Sequence, residues 1–174
     1  SDAEAFLAEL KPLTPADQVR ADLAVELLED IKRSDAQLKE SHRRLRTEIK
    51  LSGTTLTDIY GIGPIIAAML IGYSADVTRF ADADHYAAYN GTAPVEFSSG
   101  GRTVHRLSRR GNRHLNHALH LAAICQIRQS KSAGRAYFDR KVGEGKTKKE
   151  ALRALKRQIS NTVYRHLLND DRPK

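Results

Sequence analysis

The sequence predicts a mainly α-helical protein, in which a long coiled-coil helix leads into a helical domain carrying a helix–hairpin–helix and a short β-like serine loop. Three observations carry that fold class. After Pro15 no Gly or Pro occurs before Gly53, and apolar residues recur there at helical spacing. Helical spacing returns from about residue 112 to 130 and from 148 to 168. Alternation of the β kind is confined to Val95–Phe97 and Thr103–Leu107. These signals divide the chain into a connector and dimerisation helix over 1–53, a domain over 54–168 with its helix–hairpin–helix at 56–71 and its serine loop at 95–110, and a tail over 169–174. Within that tail, Asp170–Lys174 is expected to fray.

The first long helix starts at Thr14-Pro15, Thr as N-cap and Pro at the first helical position. Ala24, Leu28, Ile31, Leu38, Leu45 and Ile49 follow a heptad seam, interrupted by polar Asp35 and His42. Such a helix is expected to pair with a copy of itself or with a returning helix, the alternative being a long amphipathic helix lying on its own domain, and Ser52-Gly53 ends it. Leu56–Ile71 fits a helix–hairpin–helix, with Gly61 and Gly63 permitting a tight turn and Pro64 opening the second helix. Backbone N–H groups at such a turn can hold a phosphate without reading bases. No Lys or Arg lies between Thr54 and Thr78, so the hairpin has little charge of its own, and packing two helices together is the competing role. Ala83–Tyr89 reads as a short helix stopped by Asn90-Gly91. Ser98-Ser99-Gly100-Gly101 reads as the turn of a hairpin. Gly111 or Asn112 opens a helix with Leu115, Leu119, Ala122 and Ala123 inward. Ala133–Val142 forms another, broken by Gly143-Glu144-Gly145. The capping box Thr147-Lys148-Lys149-Glu150 starts the last, whose apolar face is Leu152, Leu155, Ile159, Val163, Tyr164 and Leu167.

At 174 residues the chain holds one or two small domains, and no apolar run approaches the ~20 residues of a membrane span. The start, Ser1-Asp2-Ala3-Glu4, is not that of a signal peptide. The single Cys125 fits a reducing, cytoplasmic compartment and, among Leu121–Ile124, reads as a buried structural thiol. The net charge of +8 is unevenly spread: residues 1–94 carry −5 and residues 95–174 carry +13. A half-chain that basic has a polyanion as its natural partner, nucleic acid above all.

Ser98-Ser99 beside Gly100-Gly101 is, by itself, a pair of turn formers. Arg102, Arg106, Arg109, Arg110 and Arg113 follow directly. Guanidinium groups bind phosphate and stabilise charge developing on it, so a hydroxyl among them is placed to attack a phosphodiester. Asn112 caps its helix or touches nucleic acid. Asp82 and Asp84 sit where acids cap a helix. His114, His117 and His120 are spaced by three, which turns His120 away from His114 and makes no metal face.

The order Gly61-Ile62-Gly63-Pro64, Arg79-Phe80, Tyr89-Asn90-Gly91, Pro94, Ser99-Gly100-Gly101, Arg109-Arg110-Gly111-Asn112 and Leu115 resembles the C-terminal transposase domain of the "one-ten" insertion-sequence family, relatives of the Piv-type DNA invertases. The helical 1–52 segment is similar to the coiled-coil connector of those transposases. The resemblance implies an RNA-guided, serine-dependent DNA recombinase of a bacterial cytoplasm, associated with the nucleoid. It implies Ser99 as the nucleophile that forms a 5′-phosphoserine link. Gly61, Gly63, Arg102, Arg106, Arg109, Arg110, Asn112 and Arg113 are then the nucleic-acid contacts. A RuvC-like domain with four acidic residues would hold Mg²⁺, and coiled coils would assemble dimers and tetramers. No RuvC-like pattern occurs in these 174 residues, so no metal or cofactor is expected in them and no DNA cutting by them alone. The alternative is a non-catalytic, dimeric nucleic-acid-binding module that needs the arginines but not the serine.

Overall fold

The computed structural model describes residues 2–99, 102–107 and 111–171, with backbone alone over 95–99 and 102–107. The fold is mainly α, and the chain divides into two compact units, Ser1–Arg44 and Leu45–Lys174.

The first unit contains α1 (Asp2–Glu9) and most of α2 (Pro15–Leu51). Thr14 opens α2, its Oγ1 accepting the Asp17 N–H at 3.2 Å while donating to the Asp17 carboxylate at 2.6 Å. Lys32 of α2 pairs with Glu4 of α1, so α1 folds back along the longer helix. Ala24 and Leu28 are half-buried, whereas Leu23, Leu27, Ile31 and Leu38 stay exposed. At 100° per residue those four cluster on one side of the helix, so a single chain leaves this stripe uncovered.

The second unit takes the last turns of α2, from Leu45, and the remaining helices: α3 (Pro64–Ser74), α4 (Ala83–Tyr89), α5 (Arg113–Arg128), α6 (Ala133–Gly143) and α7 (Lys148–Asp170). Its core is built from Leu56, Leu70, Tyr86, Leu115, Leu119, Leu155 and Val163, all fully buried. Helix α5 packs on α3, α6 and α7, and α7 also receives α4, so α5 and α7 form the axis of the unit. Tyr86 is accommodated there because its hydroxyl lies 3.0 Å from Ser74 Oγ, and burial pushes its pKa up to about 12. Tyr164 donates to the Phe80 carbonyl at 2.9 Å.

Several sequence expectations change in physical detail. Where the sequence predicts the first helix of a helix–hairpin–helix, the chain makes a single 3-10 turn, Thr55–Asp58, capped by Thr54 and left by Ile59 in an extended conformation. Asp170 does not fray: it ends α7 and accepts from Thr54 Oγ1 at 2.7 Å, Thr55 N at 3.0 Å and Thr55 Oγ1 at 2.8 Å. Thr55 Oγ1 also meets His166 Nδ1 at 2.7 Å, so the end of α7 is tied to the turn that follows α2. Cys125 is exposed, because the inward face of α5 is Leu115, Ala118, Leu119, Ala122, Ala123 and Gln126. The capping box of α7 forms, with both Thr147 and Glu150 engaged.

Asp170→Ala removes the acceptor of three hydrogen bonds and is expected to destabilise the chain by about 1.5–3 kcal/mol, the range for hydrogen bonds to a charged group. Urea unfolding measures this; an unchanged midpoint would show that the Thr54–Asp170 tie contributes nothing.

Candidate nucleic-acid interface

Between α4 and α5 the chain makes one excursion, an antiparallel ribbon of β1 (Pro94–Ser99) and β2 (Arg102–Leu107). The register pairs Ser99 with Arg102, Phe97 with Val104 and Val95 with Arg106. It pairs Ser98 with Thr103, Glu96 with His105 and Pro94 with Leu107. Directly paired positions share a face and successive ones alternate. Ser99, Arg102 and Arg106 therefore share one face of the ribbon, and Ser98 lies on the other with Glu96 and His105. Both serines close β1, where the sequence suggested turn positions. Gly100, Gly101, Arg109 and Arg110 lie outside the described residues.

The base of the ribbon is closed by backbone. A Cβ on Gly111 would lie 2.6 Å from Gly91 N and 2.7 Å from Gly91 Cα, so the residues that lead into and out of the excursion touch without side chains between them. The Asn112 N–H donates to the Tyr89 carbonyl at 2.6 Å across the same contact. Gly91, at φ 71°, makes the left-handed turn that ends α4, while Asn90 before it stays at φ −87°.

Buried polar groups hold this clasp from below. Asn90 is fully buried; its Nδ2 donates to Ser160 Oγ at 2.8 Å, and its Oδ1 accepts from Thr92 N at 3.1 Å and Thr92 Oγ1 at 2.7 Å. Asn116 Nδ2 donates to the carbonyls of Asn90 at 2.9 Å and Gly91 at 3.1 Å. Lys156 of α7 in turn donates to Asn116 Oδ1 at 2.6 Å. Sequence reasoning missed Asn116, Lys156 and Ser160. The available signal was that Lys156 and Ser160 fall at 4-3-4 spacing with Val163 and Leu167, on the apolar stripe of α7.

Asn112 is the N-cap of α5, its Oδ1 accepting from His114 N at 3.0 Å and Leu115 N at 3.1 Å while its Nδ2 reaches the Tyr89 hydroxyl at 3.3 Å. The Arg79 guanidinium lies 4.4 Å over Phe80 and 4.5 Å over Tyr89. The Asn112 hydrogen bond, and then Arg79, lower the Tyr89 pKa. Tyr73 and His114 stack in parallel at 4.4 Å. Arg113 is exposed at the first turn of α5.

Gly61 and Gly63 differ in role. Gly61, at φ 85°, approaches α5 so closely that a Cβ would lie 2.9 Å from the Ala122 carbonyl oxygen, and Gln126 Nε2 donates to the Tyr60 carbonyl at 2.8 Å beside it. Gly63 is exposed, caps α3 and has open space where a Cβ would go. Among the described residues, no group of three His, Cys, Asp or Glu side chains could hold a metal.

A family model described as Transposase IS116/IS110/IS902 family matches residues 53–139, from just beyond α2 into α6, with the clasp and ribbon inside it. This chain belongs to that transposase family. It is 33% identical over 87% of its length to the uncharacterized 42 kDa protein of insertion element IS900 from Mycobacterium paratuberculosis, covering 39% of that protein. It is 38% identical over 63% of its length to the uncharacterized 43.6 kDa protein of insertion element IS110 from Streptomyces coelicolor, covering 27% of it. A pilin gene-inverting protein of Moraxella lacunata is 29% identical over 72% of the chain, which covers 39% of that relative. The chain thus spans well under half the length of these relatives.

Gly111→Ala forces the clasp apart and is expected to cost about 1–3 kcal/mol, as overpacking does, whereas Gly63→Ala stays within about 0.5 kcal/mol of the parent. Thermal unfolding of both variants checks this; equal melting temperatures would contradict the contact.

Proposed function

We propose that this chain is the strand-exchanging part of a DNA transposase or recombinase, with Ser99 as its nucleophile. The observation that supports it is the ribbon register: Ser99 closes β1 opposite Arg102, on the face of Arg106, at the tip of an excursion clasped at its base. In the proposed step the Ser99 hydroxyl oxygen attacks a DNA phosphorus. The bond from phosphorus to the 3′ oxygen breaks, the serine proton passes to solvent and a proton is returned to the leaving 3′ oxygen. The 5′ phosphate is then held as a serine ester, and reversal with a different 3′ hydroxyl joins strands. Arg102, Arg106, Arg109, Arg110 and Arg113 hold the phosphates and balance the charge that builds on the attacked one. Gly63, at the exposed start of α3, offers backbone N–H groups to a further phosphate.

Serine deprotonation and leaving-group stabilisation call for a divalent metal. The described residues do not fit one, and in this reading Mg²⁺ belongs to an acidic RuvC-like domain that acts with this chain. The 174 residues alone then bind DNA without cutting it. Guide RNA is the proposed second polyanion for the basic half. The exposed Leu23, Leu27, Ile31 and Leu38 stripe supports assembly of dimers or tetramers through α2. Among the described residues no helix is long and apolar enough to cross a membrane, and the proposed place of action is the bacterial cytoplasm, on the nucleoid. The same stripe and charge also suit a dimeric nucleic-acid-binding module without catalysis, and the serine separates the two.

The test is covalent trapping. The chain is joined to a RuvC-like domain and supplied with Mg²⁺, guide RNA and nicked DNA, and a denaturation-resistant protein–DNA adduct is sought. The proposal predicts an adduct that Ser99→Ala abolishes and Ser98→Ala retains. An adduct lost only with Ser98→Ala moves the nucleophile to the other face of the ribbon. DNA binding with no adduct in the parent protein supports the binding module.

A further inference from the structure

Lys156 is 8% exposed, and its ammonium has one hydrogen-bond partner among the described residues, Asn116 Oδ1 at 2.6 Å. No carboxylate among those residues forms an ion pair with it. Lysine is almost never buried unless paired, because desolvating a charge without a counter-charge costs several kcal/mol. An ammonium has three donors, and here two of them remain for another acceptor.

Helix α5, which faces Lys156, contains no Asp or Glu over its length, Arg113–Arg128. Arg113, Asn116, His117 and His120 follow i, i+3, i+4 and i+7 spacing, so they line one side of α5, on which Asn116 accepts from Lys156 and His120 feels its charge. His120 is half-buried, and its pKa is lowered by burial first, then by Lys156 and His117. Burial lowers the Lys156 pKa as well, so both groups are pushed away from their charged forms where no counter-charge faces them. Asn116, the partner of Lys156, also holds the Asn90 and Gly91 carbonyls at the base of the ribbon.

The geometry points to a phosphodiester-binding subsite formed by Lys156, His120 and His117 between α5 and α7, at the base of the Ser99 ribbon. A backbone phosphate there supplies the missing counter-charge, accepts the free ammonium donors and favours protonation of His120. Through Asn116 the occupied site stiffens the clasp below Ser99, so backbone binding and presentation of the serine are coupled. The inference rests on the reading of the chain as a DNA-binding recombinase. It assigns to that reading a contact outside the arginine run.

The test uses the 174-residue chain with a short DNA duplex and with an RNA duplex of the same sequence, monitoring histidine ring signals by NMR through a pH titration. The expected result is that saturating duplex raises the His120 pKa. Whichever duplex raises it identifies the strand that supplies the phosphate. Lys156→Met, which removes the charge and keeps the bulk, is expected to lower the log–log salt slope of duplex binding by about 0.9, one phosphate contact, without lowering the melting temperature. A His120 pKa unmoved by either bound duplex overturns the subsite, and that titration decides the matter even where Lys156→Met fails to fold. Arg102→Ala and Arg106→Ala separate the two readings. If they weaken binding while His120 is unmoved, the subsite falls and the ribbon reading stands. If they bind as the parent does while Lys156→Met loses affinity, the subsite stands and the ribbon reading falls.

Discussion

Everything distinctive about the second unit depends on the contact of Gly91 with Gly111. Two backbones meet there at a distance that no side chain tolerates, and the ribbon between them can leave the helical body only because they meet. The contact also sets the start of α5: Asn112 follows Gly111, bonds the Tyr89 carbonyl through its N–H and caps the helix through its side chain. One short stretch thus ends α4, closes the ribbon and begins the helix at the centre of the core. The Arg79 guanidinium against Phe80 and Tyr89 packs the same corner. Of the residues that carry the family resemblance, Arg79-Phe80, Tyr89-Asn90-Gly91 and Gly111-Asn112 belong to this clasp.

That coincidence explains what was legible in the sequence. Helix positions were readable because their causes are local. Thr14-Pro15 and Thr147–Glu150 announce helix starts by capping chemistry, and the stripe of α7 announces its buried face. The two β-like runs and the glycines around them marked the ribbon. Long-range pairing was not readable. Nothing near Asp170 in sequence says that its carboxylate will be consumed by Thr54 and Thr55, and the run of apolar neighbours around Cys125 hid the helical rotation that exposes it. Gly61 looked like a phosphate turn, and its φ of 85° fits one, yet the space a Cβ would need is taken by α5. Gly63 beside it carries no such conflict. Local sequence specifies a conformation, and the neighbour that exploits it comes from elsewhere in the chain.

The polar interior shows the same division. Lys156 and Ser160 occupy positions that helical periodicity assigns to the core, and Asn116 and the buried Asn90 complete their network. A hydrophobic set of similar volume is commonly as stable, so such networks point to conformational specificity or to a ligand rather than to stability. Here they converge on the Asn90–Gly91 carbonyls, and so on the angle at which the ribbon leaves the body. A two-stranded ribbon is marginally stable by itself, so that angle depends on the packing at its base.

The clasp is the central claim, and amide hydrogen exchange of the Asn112 N–H tests it most directly. If the Gly91–Gly111 contact is as close as described, that N–H is held by the Tyr89 carbonyl and exchanges as slowly as the amides of Leu119 and Val163 in the core. Exchange at the rate of an exposed loop would mean that the two ends of the excursion separate freely, and that the ribbon carrying Ser99 is not anchored to the helical body at all.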